Sequence, residues 1–204
     1  MKLYYAPKTI SIASVIALHE TGAQFTLQQV DFATGEQTKT AYHRLNPKGR
    51  VPVLDLGDTL LTETGAILEY LATRFSDAAL MPQDVLDAAH VRAVMFYLAS
   101  TMHPNHAHKM RGARWANAAG SLADMAAKVP ETMTMSAQYV EDHCLRGSFV
   151  LGDQISIADC YLYTVCSWLE GDGVDMSAFP KIRAFRAAME ARPSVQAAND
   201  ANML

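Results

Sequence analysis

The sequence predicts an α/β region followed by an all-helical one. Three observations carry this: β-prone runs fall only at 2–5, 25–30 and within 51–64; the stretch SDAALMPQD at 76–84 loses periodicity and carries a proline; and every apolar pattern beyond it has helical spacing. The expected division is an α/β domain over 1–76, a linker over 77–84 and an all-helical domain over 85–204.

The first β run, at 2–5, is interrupted by Pro7-Lys8-Thr9, after which Ile12, Val15, Ile16 and Leu18 recur at helical spacing. Ser11 stands where an N-cap or first-turn residue belongs, and Gly22 supplies the position after the helix. A weakly alternating strand follows, then a polar region over 31–40 and a short helical piece near 41–45. The stretch VPVLDLGDTLLTET at 51–64 reads as a hairpin turning at Gly57-Asp58, and Ile67, Tyr70, Leu71 and Phe75 continue it as a helix. A right-handed β-α-β crossover makes the first two strands parallel, and the hairpin adds an antiparallel pair. The expectation is a small mixed sheet flanked by helices.

Beyond the linker, Val91, Val94, Met95 and Leu98 share one face of a helix expected to reach about residue 114. Pro130 is expected to open another helix at its first turn, ending by Gly147. Ser156-Ile157-Ala158-Asp159 has capping-box spacing, with Asp in the usual Glu position, and predicts a buried helix to about residue 168. The last helix is expected over 180–192, stopping before Pro193.

Composition excludes several functions. Among 204 residues half are apolar, and a net charge of −4 with a pI near 5.9 gives no case for nucleic acid or an anionic membrane surface. The opening MKLYYAPKTIS lacks the apolar core of a signal peptide and no segment has the length of a membrane span, so a cytoplasmic location is expected. Cys144, Cys160 and Cys166 have no CxxC spacing and lie in apolar helical sequence, the pattern of buried, inert thiols. His103, His106 and His108 invite a metal, but Pro104 breaks their spacing and no carboxylate or cysteine accompanies them; none is expected.

The hairpin corner carries the strongest chemical signal. Pro52 cannot donate to a ladder, so Val51 is expected at a strand edge with its N–H and C=O open to an outside partner. Thr64 at a helix start offers unpaired N–H groups to a carboxylate, and Glu63 offers an acid to an amine. A small ligand carrying both groups would fit; without one, Glu63 and Thr64 are a plain capping pair.

Taken together, NPKGRVPVLDL at 46–56, LLTETGAILEYL at 60–71 and GDQISIAD at 152–159 resemble the cytosolic glutathione transferases, over nearly the whole chain. The opening MKLYY, followed by a loop and a serine-started helix, is most similar to the bacterial beta class. The resemblance implies a thioredoxin-like domain that binds glutathione, a helical domain that supplies much of an electrophile pocket, a homodimer and a cis Val51–Pro52 peptide. It implies that Glu63 pairs the γ-glutamyl ammonium and Thr64 its carboxylate. Val51 would exchange main-chain hydrogen bonds with the cysteinyl residue. Lys48 and Arg50 would attract the glycyl carboxylate, or lie in a solvated loop.

Chemistry on this scaffold needs a thiolate. A thiol with a pKa of about 8.5 requires roughly 2.7 kcal/mol of selective stabilisation to fall by ~2 units, within reach of one or two donors and a helix N-terminus. The position of the beta-class cysteine holds Ile10, whose side chain can neither donate a hydrogen bond nor form a mixed disulfide. Ser11 is then the first candidate donor, Thr9 the second and Tyr5 the third, with N-capping the alternative for Ser11. His103 matches the helical-domain histidine that beta-class enzymes direct at the sulfur, or serves as a hydrogen-bonded interface residue. Tyr5, Ile10, Asn105 and His106 would line the substrate pocket. The implied function is transfer of glutathione thiolate to a small hydrophobic electrophile. Alternatives on the same scaffold are glutathione-dependent isomerisation, dehalogenation or peroxide reduction, and a non-enzymatic module that binds glutathione or protein.

Overall fold

The computed structural model describes residues 1–204, and the chain folds as two units: 1–83 together with 190–204, and 84–189. In the first unit the strands are β1 (Lys2–Tyr5), β2 (Thr26–Gln29), β3 (Val53–Asp55) and β4 (Leu60–Thr62), in the sheet order β2-β1-β3-β4. The β1–β2 pair is parallel, joined through α1 (Ser11–Glu20), whereas β1–β3 and β3–β4 are antiparallel. The hairpin closes by Leu56 N–H donating to Thr59 O at 2.9 Å, with Gly57 at φ +103°, a conformation that favours glycine. Short α2 (Thr40–His43) follows β2, and α3 (Thr64–Arg74) follows the hairpin.

Strand alternation distributes the core. Leu3 and Leu54 are fully buried, as are Ile12, Ile16 and Leu18 of α1 and Ile67, Leu68 and Leu71 of α3, and α1 packs against α3. Each such side chain is worth ~1.5–3 kcal/mol of burial. Val53 points the other way, into a cluster with Ala6, Val30, Tyr42 and Val51. That cluster fixes the chain on either side of Pro52.

Two expectations about this unit change. β3 is not an edge strand; it lies between β1 and β4. The proline is tolerated because it precedes the first ladder residue, Val53, and removes no ladder bond. The C-terminal segment, expected with the helical domain, belongs to the first unit. A helix absent from the expectation, α9 (Pro193–Asp200), packs on α1. Arg192 donates to both oxygens of Glu20 at 2.6 and 2.7 Å, Ser194 Oγ to Oε1 at 2.5 Å, and Lys8 N–H to Met203 O at 2.7 Å. Pro193 starts this helix rather than ending one, since a first-turn proline sacrifices no helical bond.

The second unit is helical: α4 (Val85–Tyr97), α5 (His103–Arg111), α6 (Ala119–Tyr139), α7 (Ile157–Cys166) and α8 (Pro180–Glu190). The single helix expected to reach residue 114 is interrupted by a π-helical turn, Leu98–Met102. Pro104 lies two residues beyond; it lacks the N–H that would bond the carbonyl four residues back, and a wider turn accommodates that loss. Pro130 does not open a helix but lies inside α6, its ring facing Gly173. Helical residues continue on both sides of it, so packing along the 21-residue helix outweighs one missing bond. The cap before α7 forms as expected: Asp159 Oδ2 accepts from Ser156 N–H and Oγ, each at 2.7 Å, and Oδ1 accepts from Val150 N–H at 2.8 Å.

Candidate functional site

In the first unit, the peptide between Val51 and Pro52 is cis. The chain leading to it is pinned by the carbonyl of Arg50, which accepts from Tyr42 Oη at 2.8 Å and Asn46 Nδ2 at 2.7 Å. Gly49 is required here: at φ +62° its Cβ would meet Gln37 O at 2.9 Å. Val51 itself is buried, and its N–H and C=O engage no other group of the chain. Its main chain is therefore available to an added strand, although the strand that follows is interior.

Across the hairpin, Glu63 precedes α3 with φ +72° and ψ 122°, outside the conformations a glutamate ordinarily adopts. Its carboxylate caps no helical N–H. The first helical bond runs from Ile67 N–H to Glu63 O at 3.0 Å, so the N–H groups of Thr64, Gly65 and Ala66 lack intrahelical acceptors. Thr64 is buried, and its hydroxyl bonds no other residue. Lys48 Nζ sits 2.9 Å from Glu63 Oε1 and 2.8 Å from Thr62 Oγ1. Lys48 thus neutralises Glu63 across the corner, a pairing the sequence did not suggest, while Arg50 is exposed on the same loop.

The loop between β1 and α1 holds Thr9, Ile10 and Ser11. Ser11 is fully buried; its Oγ accepts from Ala6 N–H at 3.1 Å and lies 2.7 Å from Thr9 Oγ1 and 3.1 Å from Ala6 O. Thr9 Oγ1 donates to Ala6 O at 2.8 Å and accepts from Ser11 N–H at 3.3 Å. Between them the two hydroxyl protons serve the loop itself, so Ser11 is a brace of the turn rather than a hydroxyl held out to a ligand. Its burial at the first helical position, which a sequence pattern does not report, explains the difference. Ile10 precedes α1, its side chain is buried, and its main-chain N–H finds no acceptor in the chain. That N–H, at the positive end of α1, is a donor that a search for side-chain chemistry overlooks. Tyr5 is buried in β1.

In the second unit, α5 separates its three histidines. His106 stacks on Trp168 with centroids 4.2 Å apart and planes at 24°, and His103 lies over the same indole at 5.3 Å. His108 instead meets Trp115 edge-on at 4.6 Å. No three His, Cys, Asp or Glu side chains converge as a metal set would require. His106 Nδ1 lies 2.6 Å from Asp172 Oδ2, a buried carboxylate whose other oxygen is 3.4 Å from Lys109 Nζ; Lys109 also donates to Gly171 O. Asp172 is 66 residues from His106, and no local spacing announces the pair. Asn105, expected beside His106 in a pocket, turns to α6, donating to Ser136 Oγ at 3.1 Å and Thr132 O at 3.4 Å. The three cysteines are buried, and burial pushes Cys144 up to about 12 and Cys166 upward as well, which removes them as thiolate nucleophiles at neutral pH.

A four-stranded mixed sheet with a cis-proline ahead of an inner strand, joined to a helical unit, defines a thioredoxin-like domain carrying a second, all-α domain. Residues 1–73 match the family model "Glutathione S-transferase, N-terminal domain" and residues 121–195 match "Glutathione S-transferase, C-terminal domain". The chain is 33% identical over 207 residues to the glutathione S-transferase GstA of Escherichia coli O157:H7, with all of both chains covered. It is 31% identical over 209 residues to the maleylacetoacetate isomerase of Pseudomonas aeruginosa, covering 99% of this chain and 97% of the other. Among solved structures, a glutathione transferase homolog from Sulfitobacter with bound glutathione superposes with a TM-score of 0.98 at 54% identity, over 100% of this chain and 98% of that one. The chain belongs to the glutathione S-transferase family. No helix is long and apolar enough to cross a membrane.

Proposed function

We propose that this protein is a glutathione transferase of the beta-class type, distinguished by Ile10, that binds glutathione on its first unit and passes the thiolate to a small hydrophobic electrophile. The observation that carries this reading is the open corner: Val51 main-chain groups with no partner, beside a helix start whose N–H groups and threonine hydroxyl are equally unclaimed. The cysteinyl residue would add to Val51 as a strand, Thr64 would hold the γ-glutamyl carboxylate, and Glu63 its ammonium. Lys48 would hand Glu63 over and, with Arg50, face the glycyl carboxylate.

For the sulfur, Ile10 N–H is the donor that needs no rearrangement, Thr9 Oγ1 becomes one if it releases Ala6 O, and Ser11 holds Thr9 in place. His103, fixed over Trp168, is the candidate from the helical unit. Val85, Leu86 and Phe96 of α4 and Met135 of α6 are exposed, apolar surface that a second copy of the chain would cover in a homodimer.

Titrating bound glutathione by its thiolate absorbance near 240 nm tests the reading directly. A thiol that ionises well below its free value supports a transferase. Binding with no change in ionisation would leave a glutathione-binding module instead. The similarity to a maleylacetoacetate isomerase favours one second reading, in which thiolate adds to a cis alkene, the new single bond rotates and thiolate leaves. Recovery of unconjugated trans product from a cis-enone acid would select it.

A further inference from the structure

We infer that Met203 is a positioning residue for the thiolate: its carbonyl holds the turn between β1 and α1 in the shape that aims the Ile10 N–H at the glutathione sulfur. The inference rests on the transferase reading above and deepens it.

Both ends of α1 are tied to the segment that packs along it. At the last residue of α1, Glu20 accepts from Arg192 and Ser194, the residues on either side of the Pro193 that opens α9. Ahead of α1, Lys8 N–H donates to Met203 O, just beyond α9, at 2.7 Å. The two helices therefore run antiparallel, with Val195 and Ala198 of α9 fully buried. Such a splint adds stability wherever it is fixed, but its two ties hold different things. Glu20 ends a regular helix. Lys8 stands at φ +56°, a left-handed conformation that a lysine keeps only where its surroundings impose it.

Met203 supplies that constraint. Ala6, Thr9 and Ser11 bond one another, and Pro7 has no N–H, so the bond to Met203 is the main-chain link from residues 7–10 to a distant segment. The acceptor is itself well fixed. Met203 is 6% exposed and its N–H donates to Ala198 O at 3.0 Å, while Asn202, of a type that tolerates left-handed backbone, turns the chain at φ +53°. A lysine freed from this acceptor relaxes toward negative φ. That rotation swings the peptide planes after it, and Ile10 N–H lies two residues on. Hydrogen bonds weaken steeply as they bend, so a misaimed N–H loses its preference for thiolate over thiol. Val51, Glu63 and Thr64 make no hydrogen bond to residues 7–10 or 201–203, which leaves their hold on the peptide independent of the tie.

The test separates sulfur from peptide. Met203→Ala, Met203→Leu and Arg192→Met are compared with the parent, all full-length, by titrating bound glutathione at 240 nm and by calorimetry with S-methylglutathione, which has no thiol to ionise. Met203→Ala should lower the ionisation constant of the bound thiol about tenfold, one pKa unit, with S-methylglutathione affinity within about twofold of the parent. Exchange of the Lys8 amide hydrogen should quicken in the same variant. Met203→Leu, which refills the buried site, should restore the parent titration. Arg192→Met cuts the other tie and should lower the thermal midpoint while leaving the thiol at its parent value. Faster exchange at Lys8 with an unchanged thiol, an equal thiol shift in Arg192→Met, or a parallel loss of S-methylglutathione affinity would each overturn the role of Met203 and leave the transferase standing. A parent protein that binds glutathione with its thiol at the free value would overturn the transferase reading itself, and this inference with it.

Discussion

At the start of α7, Asp159 accepts three hydrogen bonds from Val150 and Ser156 and is wholly buried. At the start of α3, Glu63 caps nothing, its side chain is 66% exposed and its backbone is held at φ +72°. Both corners place an acid and a hydroxyl residue at a helix N-terminus, where negative charge is favoured. One closes its donors on itself and gains stability; the other leaves its helix-terminal donors open and carries about 1–3 kcal/mol of strain at one residue. The residue types are alike, and the two corners differ in which groups remain unpaired, the difference on which the proposed recognition role of Glu63 and Thr64 rests.

The largest effect should come from breaking the closed corner. Asp159→Ala leaves the buried N–H groups of Val150 and Ser156 without acceptors, and a loss of about 4 kcal/mol is expected in urea unfolding. Affinity for glutathione, measured on protein that remains folded, should shift less than about twofold. The same carboxyl gives a pH signature. Burial pushes it up to about 6 from its usual 3.8, against the opposing pull of hydrogen bonds from Val150 and Ser156. A folded-state value above the unfolded one means that the folded protein holds the extra proton between about pH 4 and 6. Its contribution is then full below pH 4 and declines as pH rises to 6, by up to about 3 kcal/mol relative to Asp159→Asn. A flat difference between the two proteins over that range would show that the three hydrogen bonds hold the group ionised throughout.

Breaking the open corner should do the reverse. Glu63→Gln keeps the shape and removes the charge, so the γ-glutamyl ammonium loses its counter-ion. Calorimetry should report glutathione binding weakened by about 10–30-fold, or roughly 1.4–2 kcal/mol, with stability moved by no more than ~0.5 kcal/mol. Loss of stability in place of affinity would make Glu63 a structural cap after all.

Most of the fold was legible because it is written locally. The two-then-3.6 change of hydrophobic period, Gly57 in the turn, and Ser156 three residues before Asp159 each act over a few residues. The misreadings share a cause as well. Pro130, expected to start a helix, and Pro193, expected to stop one, are local signals whose meaning depends on packing elsewhere: the first lies inside α6, and the second starts a helix that docks on α1. The open corner could be seen in Pro52, Glu63 and Thr64. Ser11 showed its hydroxyl but not its burial, and the Ile10 N–H was invisible because every residue but proline has one. The His106–Asp172 pair spans 66 residues, so only tertiary structure brings it together.

A smaller effect sharpens the idea that strain is kept for recognition. Glu63→Gly should relieve the positive φ, and after the greater entropy of glycine in the unfolded chain is subtracted a net gain of about 1 kcal/mol is expected, alongside weakened glutathione binding. Thermal unfolding and calorimetry on the same sample would read both. The smallest effect belongs to Lys48→Met. Its ion pair with Glu63 is exposed, 43% on one side chain and 66% on the other, so its removal should alter stability by less than ~0.5 kcal/mol. For binding, two consequences oppose each other: Glu63 is released to the ammonium, while one cation near the glycyl carboxylate is lost. Affinity should therefore change less than about threefold, with a shallower dependence on salt. A tenfold loss would instead show that Lys48 holds the glycyl carboxylate directly, which would make the Lys48–Glu63 pair a ligand-free arrangement that glutathione breaks on entry.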